Sequence, residues 1–483
     1  MMENCELQFP GMWKIPGEKP KVGILMYNDI TRTIRLKVQT YCHLGSDRDL
    51  SCWPRVKDLG LIVGDMGVDG KVVLCGCRPQ RLGGNKARGG SVYELEITAD
   101  YAFRDYKLGK KHAITMKGVS VDFGEILAWT RTSAYQIDKS KHGEDFWLHR
   151  WRSIEFGYEF PLPNGGTVTF SPYASRPGAV MISREVVLSQ GAKTGLYYKT
   201  SREWSLIKDD IELVRHLVEF AMAVRVGIVE ASFSQARDKW LRKTIEPKDY
   251  KQILLGDKIV GETHIPRDHD MVFTLPELMA VIKKTKRRWR KNFGDLRLAF
   301  KLYDEVIRKE SDGVEKTFVR LVQLLEHLHS LIFSDKTSLY EKRMREVWGD
   351  DDKMVACEKR RLCGTRNPDR PNLKMRIYEM TRNNRKWLVT NPIGDDGIAF
   401  AEKVANTRHY FIHHNVIDKP KSFLTDKVEE VVCFLRSLVR YHILRKLGFS
   451  EDFALRRMGW SRESSRELFS LIYMPIGEEK INV

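Results

Sequence analysis

The stretch Val404-Ala405-Asn406-Thr407-Arg408-His409-Tyr410-Phe411-Ile412-His413-His414-Asn415 concentrates groups that can hold charge and move protons. On a helix, at about 100° per residue, His409 and His413 stand only about 40° apart, with Arg408 beside their face. A cationic Arg next to two imidazoles contributes nothing to a core. It makes sense where something negative is held, and a phosphate is the natural guest. Arg supplies bidentate donors, and His transfers protons near neutral pH. Periodicity alone favours a blander account: a polar helix end, with Asn415 as its C-cap and histidines drawn to the negative end of the helix dipole. His-x-x-x-His also sets two zinc ligands on one turn. No Glu follows the first His, as the metalloprotease pattern requires, and no third ligand is evident nearby. No metal and no cofactor is therefore expected.

Helical periodicity places this stretch late in a helix that begins near Asp396. Leu321, Leu324, Leu325 and Leu328 mark the apolar face of an earlier helix. Val428, Val431, Val432, Leu435, Leu438 and Val439 mark that of a later one. From Leu275 onward nearly everything reads as helix. Another helix begins near Asp209, with Ile211, Val214, Leu217, Val218 and Ala221 at helical spacing. Upstream, roughly the first 200 residues read as short β-branched and aromatic runs between turns. Residues 22–27, 33–38, 71–74, 91–98, 113–123 and 167–170 are the clearest strands, and Pro163-Asn164-Gly165-Gly166 is a hairpin signal. Residues 228–233 and 271–274 read as two further strands. The expected architecture is α+β and multidomain. A β-rich, sandwich- or barrel-like N-terminal domain spans 1–205, and a mixed connecting region with a basic helix spans 206–300. An all-α bundle follows over 301–450, with a tail over 451–483.

Hydrophobic residues are 42% of the 483, enough for a full core, and Lys plus Arg exceed Asp plus Glu by 82 − 64 = 18. Such an excess suits a polyanion, nucleic acid ahead of a membrane surface. No run reaches the roughly 18 consecutive apolar residues that a membrane helix needs. Residues 217–229 come nearest, interrupted by Glu219 and Arg225. Residues 1–13 lack the basic and apolar regions of a signal peptide. Eight cysteines fall far below the density of a secreted disulfide scaffold, so a reducing cytoplasm and free thiols are expected.

The densest basic run is Lys283-Lys284-Thr285-Lys286-Arg287-Arg288-Trp289-Arg290-Lys291, with seven charges in nine positions. Trp289 and Phe293 interleave it, a pattern that fits backbone contact with RNA plus base stacking. A solvated helix face fits equally well. Arg436, Arg440, Arg445 and Lys446, on the helix after the histidines, could line the same cleft. Cys75-Gly76-Cys77 with Cys42, His43 and Cys52, or Cys357 with Cys363, could be imagined as zinc ligands, but buried thiols are the simpler reading. Gly83-Gly84 and Gly89-Gly90 lack the Gly-Lys-Ser/Thr of a phosphate loop and read as a hairpin loop.

Arg408-His409-x-x-x-His413 resembles the R-x4-6-H motif of HEPN ribonucleases, in which a polar residue commonly follows the Arg. This family often has Asn where the chain has His409. Leu324-Leu325-Glu326-His327-Leu328-His329 is similar to the first HEPN helix. Phe9-Pro10-Gly11-Met12-Trp13, followed by Val22-Gly23-Ile24-Leu25, resembles the β-rich N-terminal domain of ApeA-type anti-phage proteins. The resemblance implies a C-terminal HEPN helical bundle and a metal-independent endoribonuclease, in which a ribose 2′-OH attacks the adjacent phosphate. It implies His413 as general acid/base and Arg408 as the stabiliser of the phosphorane charge. His409 would orient the phosphate or share the proton work, with Glu326, His414 and Asn415 in support. One motif holds too few groups for both proton transfers, and HEPN domains answer this by dimerising, so a homodimer with both motifs in one cleft is implied. The implied role is abortive anti-phage defence, with RNA as substrate and the N-terminal part sensing a phage-derived trigger or restraining the nuclease. The rival class is a non-catalytic RNA-binding or regulatory protein, which would need residues 283–291 but not His413.

Overall fold

Alternating burial builds the strands. Ile34, Leu36 and Val38 are buried on one face. Arg35 and Lys37 turn to the other, each 3.7 Å from its partner, Glu96 and Glu94. In the computed structural model the strands are β1 (Glu6–Lys14), β2 (Lys21–Asn28), β3 (Thr33–His43), β4 (Ile62–Asp65), β5 (Lys71–Cys75), β6 (Arg78–Ala87), β7 (Gly90–Ala99), β8 (Tyr101–Arg104) and β9 (Thr115–Asp122). They are followed by β10 (Tyr135–Asp138), β11 (Leu148–Trp151), β12 (Tyr158–Pro161), β13 (Thr167–Ala174), β14 (Gln190–Glu203), β15 (Glu230–Ser234) and β16 (Lys251–Leu255). The structure describes residues 6–28, 30–43, 58–87, 90–109, 113–132, 135–138, 148–151, 157–174, 190–235, 251–255, 270–308, 313–333, 372–382, 397–413, 423 and 425–458.

Chain contacts divide the protein into two units, residues 1–215 with 226–265, and residues 216–225 with 266–483. In the first, fourteen strands among the described residues form one antiparallel sheet, in the order β12-β13-β14-β9-β15-β16-β8-β5-β4-β1-β2-β3-β7-β6. β10 and β11 make a separate ribbon. β16 and β3, six places apart in that order, approach each other, so the sheet between them curls barrel-like. The curl encloses Trp13, Leu25, Leu36, Leu74, Ile97 and Leu254. Trp13 fills its space tightly enough that a Cβ on Gly64 would collide with the indole. The β12–β13 hairpin turns at the expected place, with Gly165 at φ +87° and Leu162 N–H donating to Gly166 O at 2.8 Å. Gly83 and Gly84 lie inside β6 rather than in the loop after it.

The short helix α1 (Leu127–Thr130) sits between strands, and α2 (Trp204–Met222) crosses from the first unit's residues to the second's. The spacing argument starts α2 near Asp209. It begins a turn and more earlier, where buried Trp204 and Ile207 extend the helical spacing of Ile211 and Val214 backward. The second unit continues with α3 (Leu275–Asp295), α4 (Arg297–Arg308), α5 (Val314–Ile332), α6 (Leu373–Arg382), α7 (Gly397–His413), α8 (Thr425–Leu447) and α9 (Glu451–Met458). α5 is central and packs on α4, α6, α7 and α8. Its Leu321, Leu324, Leu325 and Leu328 are buried, as are Val428, Val431, Val432, Leu435, Leu438 and Val439 of α8, as the periodicity required.

Residues 271–274 do not form the expected strand. Met271, Val272 and Phe273 are buried, but Val272 N–H and Phe273 N–H both donate to Ala221 O. Thr274 then caps α3, its N–H donating to Glu277 Oε2 at 2.7 Å. An apolar run of this length reads alike as strand or as buried linker. No helix among the described residues is long and apolar enough to cross a membrane.

Candidate active site

α7 presents the motif in its last two turns. Thr407 is buried and pins the helix: its hydroxyl donates to Lys403 O at 2.7 Å and accepts from Phe423 N–H at 2.9 Å. Phe411 meets Phe318 of α5 edge-on, with centroids 5.7 Å apart. These contacts fix the helix phase, and the phase leaves His409 and His413 exposed. Their rings lie 4.6 Å apart, tilted by 52°. Arg408 is half-buried and turns toward α5, where its Nη2 is 3.4 Å from Glu326 Oε2. Its Nε is enclosed with no hydrogen-bond acceptor among the described residues. His414 and Asn415 lie outside the described residues.

The α5 side adds His327 and His329. Burial pushes the His327 imidazole below its ordinary pKa, which keeps it neutral at physiological pH. His329 is buried, and its Nε2 lies 2.7 Å from Glu379 Oε2 of α6. Arg376 of α6 reaches Ser330 Oγ at 2.6 Å. Two clamps therefore hold α5 on α6 beside Glu326. Sequence reasoning named this helix but missed the His329–Glu379 pair. The signal was there: His329 follows Leu325 by four positions and so shares its inward face.

The basic run has split by face. Lys283, Lys284, Lys286, Arg287, Arg288, Arg290 and Lys291 are all exposed along α3. Trp289 and Phe293 are fully buried and stacked on each other at 5.0 Å. They belong to the core, and the expectation that they stack on bases is corrected: aromatic surface is worth more removed from water. Arg440 is likewise corrected as an RNA contact. It is buried, with Nε donating to Tyr303 Oη at 2.6 Å. Arg436 is half-buried, Arg445 donates to Phe449 O, and Lys446 pairs with Asp295 at 3.1 Å.

Among the described residues, His216 and Glu219 of α2 and Asp304 of α4 form the group that could hold a metal ion, their ligand atoms lying within 4.8 Å of one another. His216 Nε2 is already 3.4 Å from Asp304 Oδ2. His409 and His413 are not part of that group. Cys75 and Cys77 carry no disulfide, and burial raises both thiols above the ordinary value, which suits inert buried thiols. Cys52, Cys357 and Cys363 lie outside the described residues.

The family model described as ApeA N-terminal domain 1 matches residues 9–289, and the one described as Apea-like HEPN matches residues 319–453. The chain belongs to the ApeA-type HEPN family. This is a family of HEPN nucleases in anti-phage defence. The HEPN match encloses α6, α7 and α8 whole, and with them Arg408, His409 and His413. The basic run of α3 up to Trp289 falls within the other match. Comparison with curated proteins and with solved structures finds no match.

Proposed function

We propose that this ApeA-type HEPN protein is a metal-independent endoribonuclease that acts in abortive anti-phage defence. The observation that supports the reading best is the exposed His413 on α7, one turn from His409 and beside an Arg408 held by Glu326, inside the residues that match the HEPN model. The 2′-oxygen of a ribose attacks the adjacent phosphorus, and the bond to the 5′-oxygen breaks. A cyclic phosphate and a free 5′-OH result. Arg408 donates to the phosphorane oxygens as their charge grows. His413 moves a proton at the reacting oxygens. Two copies of the chain pair so that their motifs share a cleft, and RNA reaches it along the exposed cations of α3. A phage-derived trigger releases the activity, in the cytoplasm.

The same α3 cations favour a second reading, a protein that binds RNA without cutting it. His413→Ala separates the two. Under the nuclease reading, cleavage of a short single-stranded RNA by the full chain falls by ~10²-fold or more while RNA binding persists. Cleavage by the unaltered chain continues in excess EDTA. Undiminished cutting by a well-folded His413→Ala chain, or loss of cutting in EDTA restored by Mg²⁺, overturns the proposal.

A further inference from the structure

α2 and α4 meet through aromatic rings within the second unit. Phe220 lies edge-on to Tyr303, with centroids 5.0 Å apart, and tilts against Phe300 at 5.6 Å. Next to these rings three buried polar side chains converge. They are His216 and Glu219, on one face of α2 at i and i+3, and Asp304 of α4. We propose that they form a structural Zn²⁺ site, with His216 Nε2 and one oxygen each of Glu219 and Asp304 as ligands and water in the fourth place. The site shares no residue with the motif of α7, so it stands apart from the ribonuclease reading.

The spacing is that of ligands sharing an ion. Zinc bonds to nitrogen and oxygen are about 2.0–2.2 Å long, so ligand atoms at neighbouring corners of a tetrahedron stand about 3.3–3.6 Å apart. His216 Nε2 is 3.4 Å from Asp304 Oδ2. That lies inside the range for a shared ion and beyond the roughly 2.7–3.2 Å of an N–H···O hydrogen bond. The ligand oxygen of Glu219 is within 4.8 Å of both atoms. Rotation about the last side-chain bond, which is soft in Glu, closes what remains of the gap.

The donor set selects the ion. One imidazole nitrogen with two carboxylate oxygens suits a first-row divalent cation. Mg²⁺ demands octahedral, oxygen-rich coordination and keeps much of its water, which three enclosed side chains between two helices do not supply. Carboxylates buried beside aromatic rings are costly, and a divalent cation balances the charge of two of them. The third ligand comes from a different helix, so the ion clasps α2 to α4. No spacing in the sequence marks such a site, because His216-x-x-Glu219 is only two thirds of it. The clasp takes no part in the chemistry at α7, which needs no metal under the reading above.

The test uses the full chain, freed of any affinity tag, incubated with Zn²⁺ and passed through gel filtration. Elemental mass spectrometry should find one Zn²⁺ retained per chain. X-ray absorption at the zinc edge should show nitrogen and oxygen ligands at about 2.0–2.2 Å and no sulfur. This arm needs no variant. Asp304→Asn and Glu219→Gln keep the size of each side chain and remove its charge. Loss of an outer-shell partner alone costs ~10–100-fold in metal affinity, so each of these variants should lose ~10²-fold or more. Zn²⁺ should raise the unfolding temperature of the unaltered chain and leave that of both variants in place, while Mg²⁺ moves none of them. Failure of the unaltered chain to retain Zn²⁺, a sulfur ligand, or equal retention by Asp304→Asn and Glu219→Gln overturns the proposal. So does an ion lost in His413→Ala but kept in Asp304→Asn, which would put it on the exposed His409 and His413 instead. None of these outcomes decides the ribonuclease reading, which is tested by cleavage with His413→Ala.

Discussion

Acid should loosen the helical unit through one buried histidine. His442 of α8 is buried, and its Nε2–H donates to Met380 O of α6 at 2.9 Å. Burial above all holds its pKa down to about 4, with the nearby His329 and Arg445 acting in the same direction against the Met380 hydrogen bond. The unfolded chain, with an ordinary imidazole, binds this proton more readily than the folded one. The sign follows: the contribution to stability is complete above about pH 6.5, shrinks as the pH falls, and is gone near the folded value. The whole gap is worth about 3 kcal/mol, of which about 2 kcal/mol is lost between pH 7.5 and pH 5. His442→Gln keeps an N–H for Met380 and removes the titration. Urea denaturation followed by circular dichroism at several pH values compares the two chains. Titrations of all other groups are common to both and cancel in the difference. The unaltered chain should lose about 2 kcal/mol more than His442→Gln over that interval. Parallel stability curves would refute the reasoning, because they would mean that His442 titrates alike in the folded and unfolded states.

Two further outcomes follow from the split of the basic run. Arg287→Glu with Arg288→Glu should leave the unfolding midpoint nearly unchanged, flatten the dependence of RNA binding on salt by roughly one unit of slope or more, and raise KM with little change in kcat. An unchanged slope across a salt series of binding measurements would make α3 a merely solvated face. Trp289→Ala, two positions from Arg287, should do the opposite. It should cost about 3–5 kcal/mol of stability in denaturant titration, since a fully buried indole is lost. It should not change the salt slope of whatever chain remains folded.

Periodicity determined a good deal without any structure. A strand or helix must hide its apolar side, so the alternation at Ile34, Leu36 and Val38 and the helical spacing at Leu321, Leu324, Leu325 and Leu328 fixed which faces became core. The same arithmetic put His409 and His413 on one face, and their rings are found 4.6 Å apart. What it could not supply was the direction taken by side chains that suit either environment. Trp289 lies within a run of cations and is fully buried, and Arg440 is charged and yet lies against Tyr303. Each has an apolar body and a polar tip, so its neighbours, rather than its type, decide its side. Tertiary structure alone also decided the long-range partners. Glu326 meets Arg408 across 82 residues and Glu379 meets His329 across 50. Such pairs depend on which helices pack together and at what phase, and one element's spacing carries no record of either.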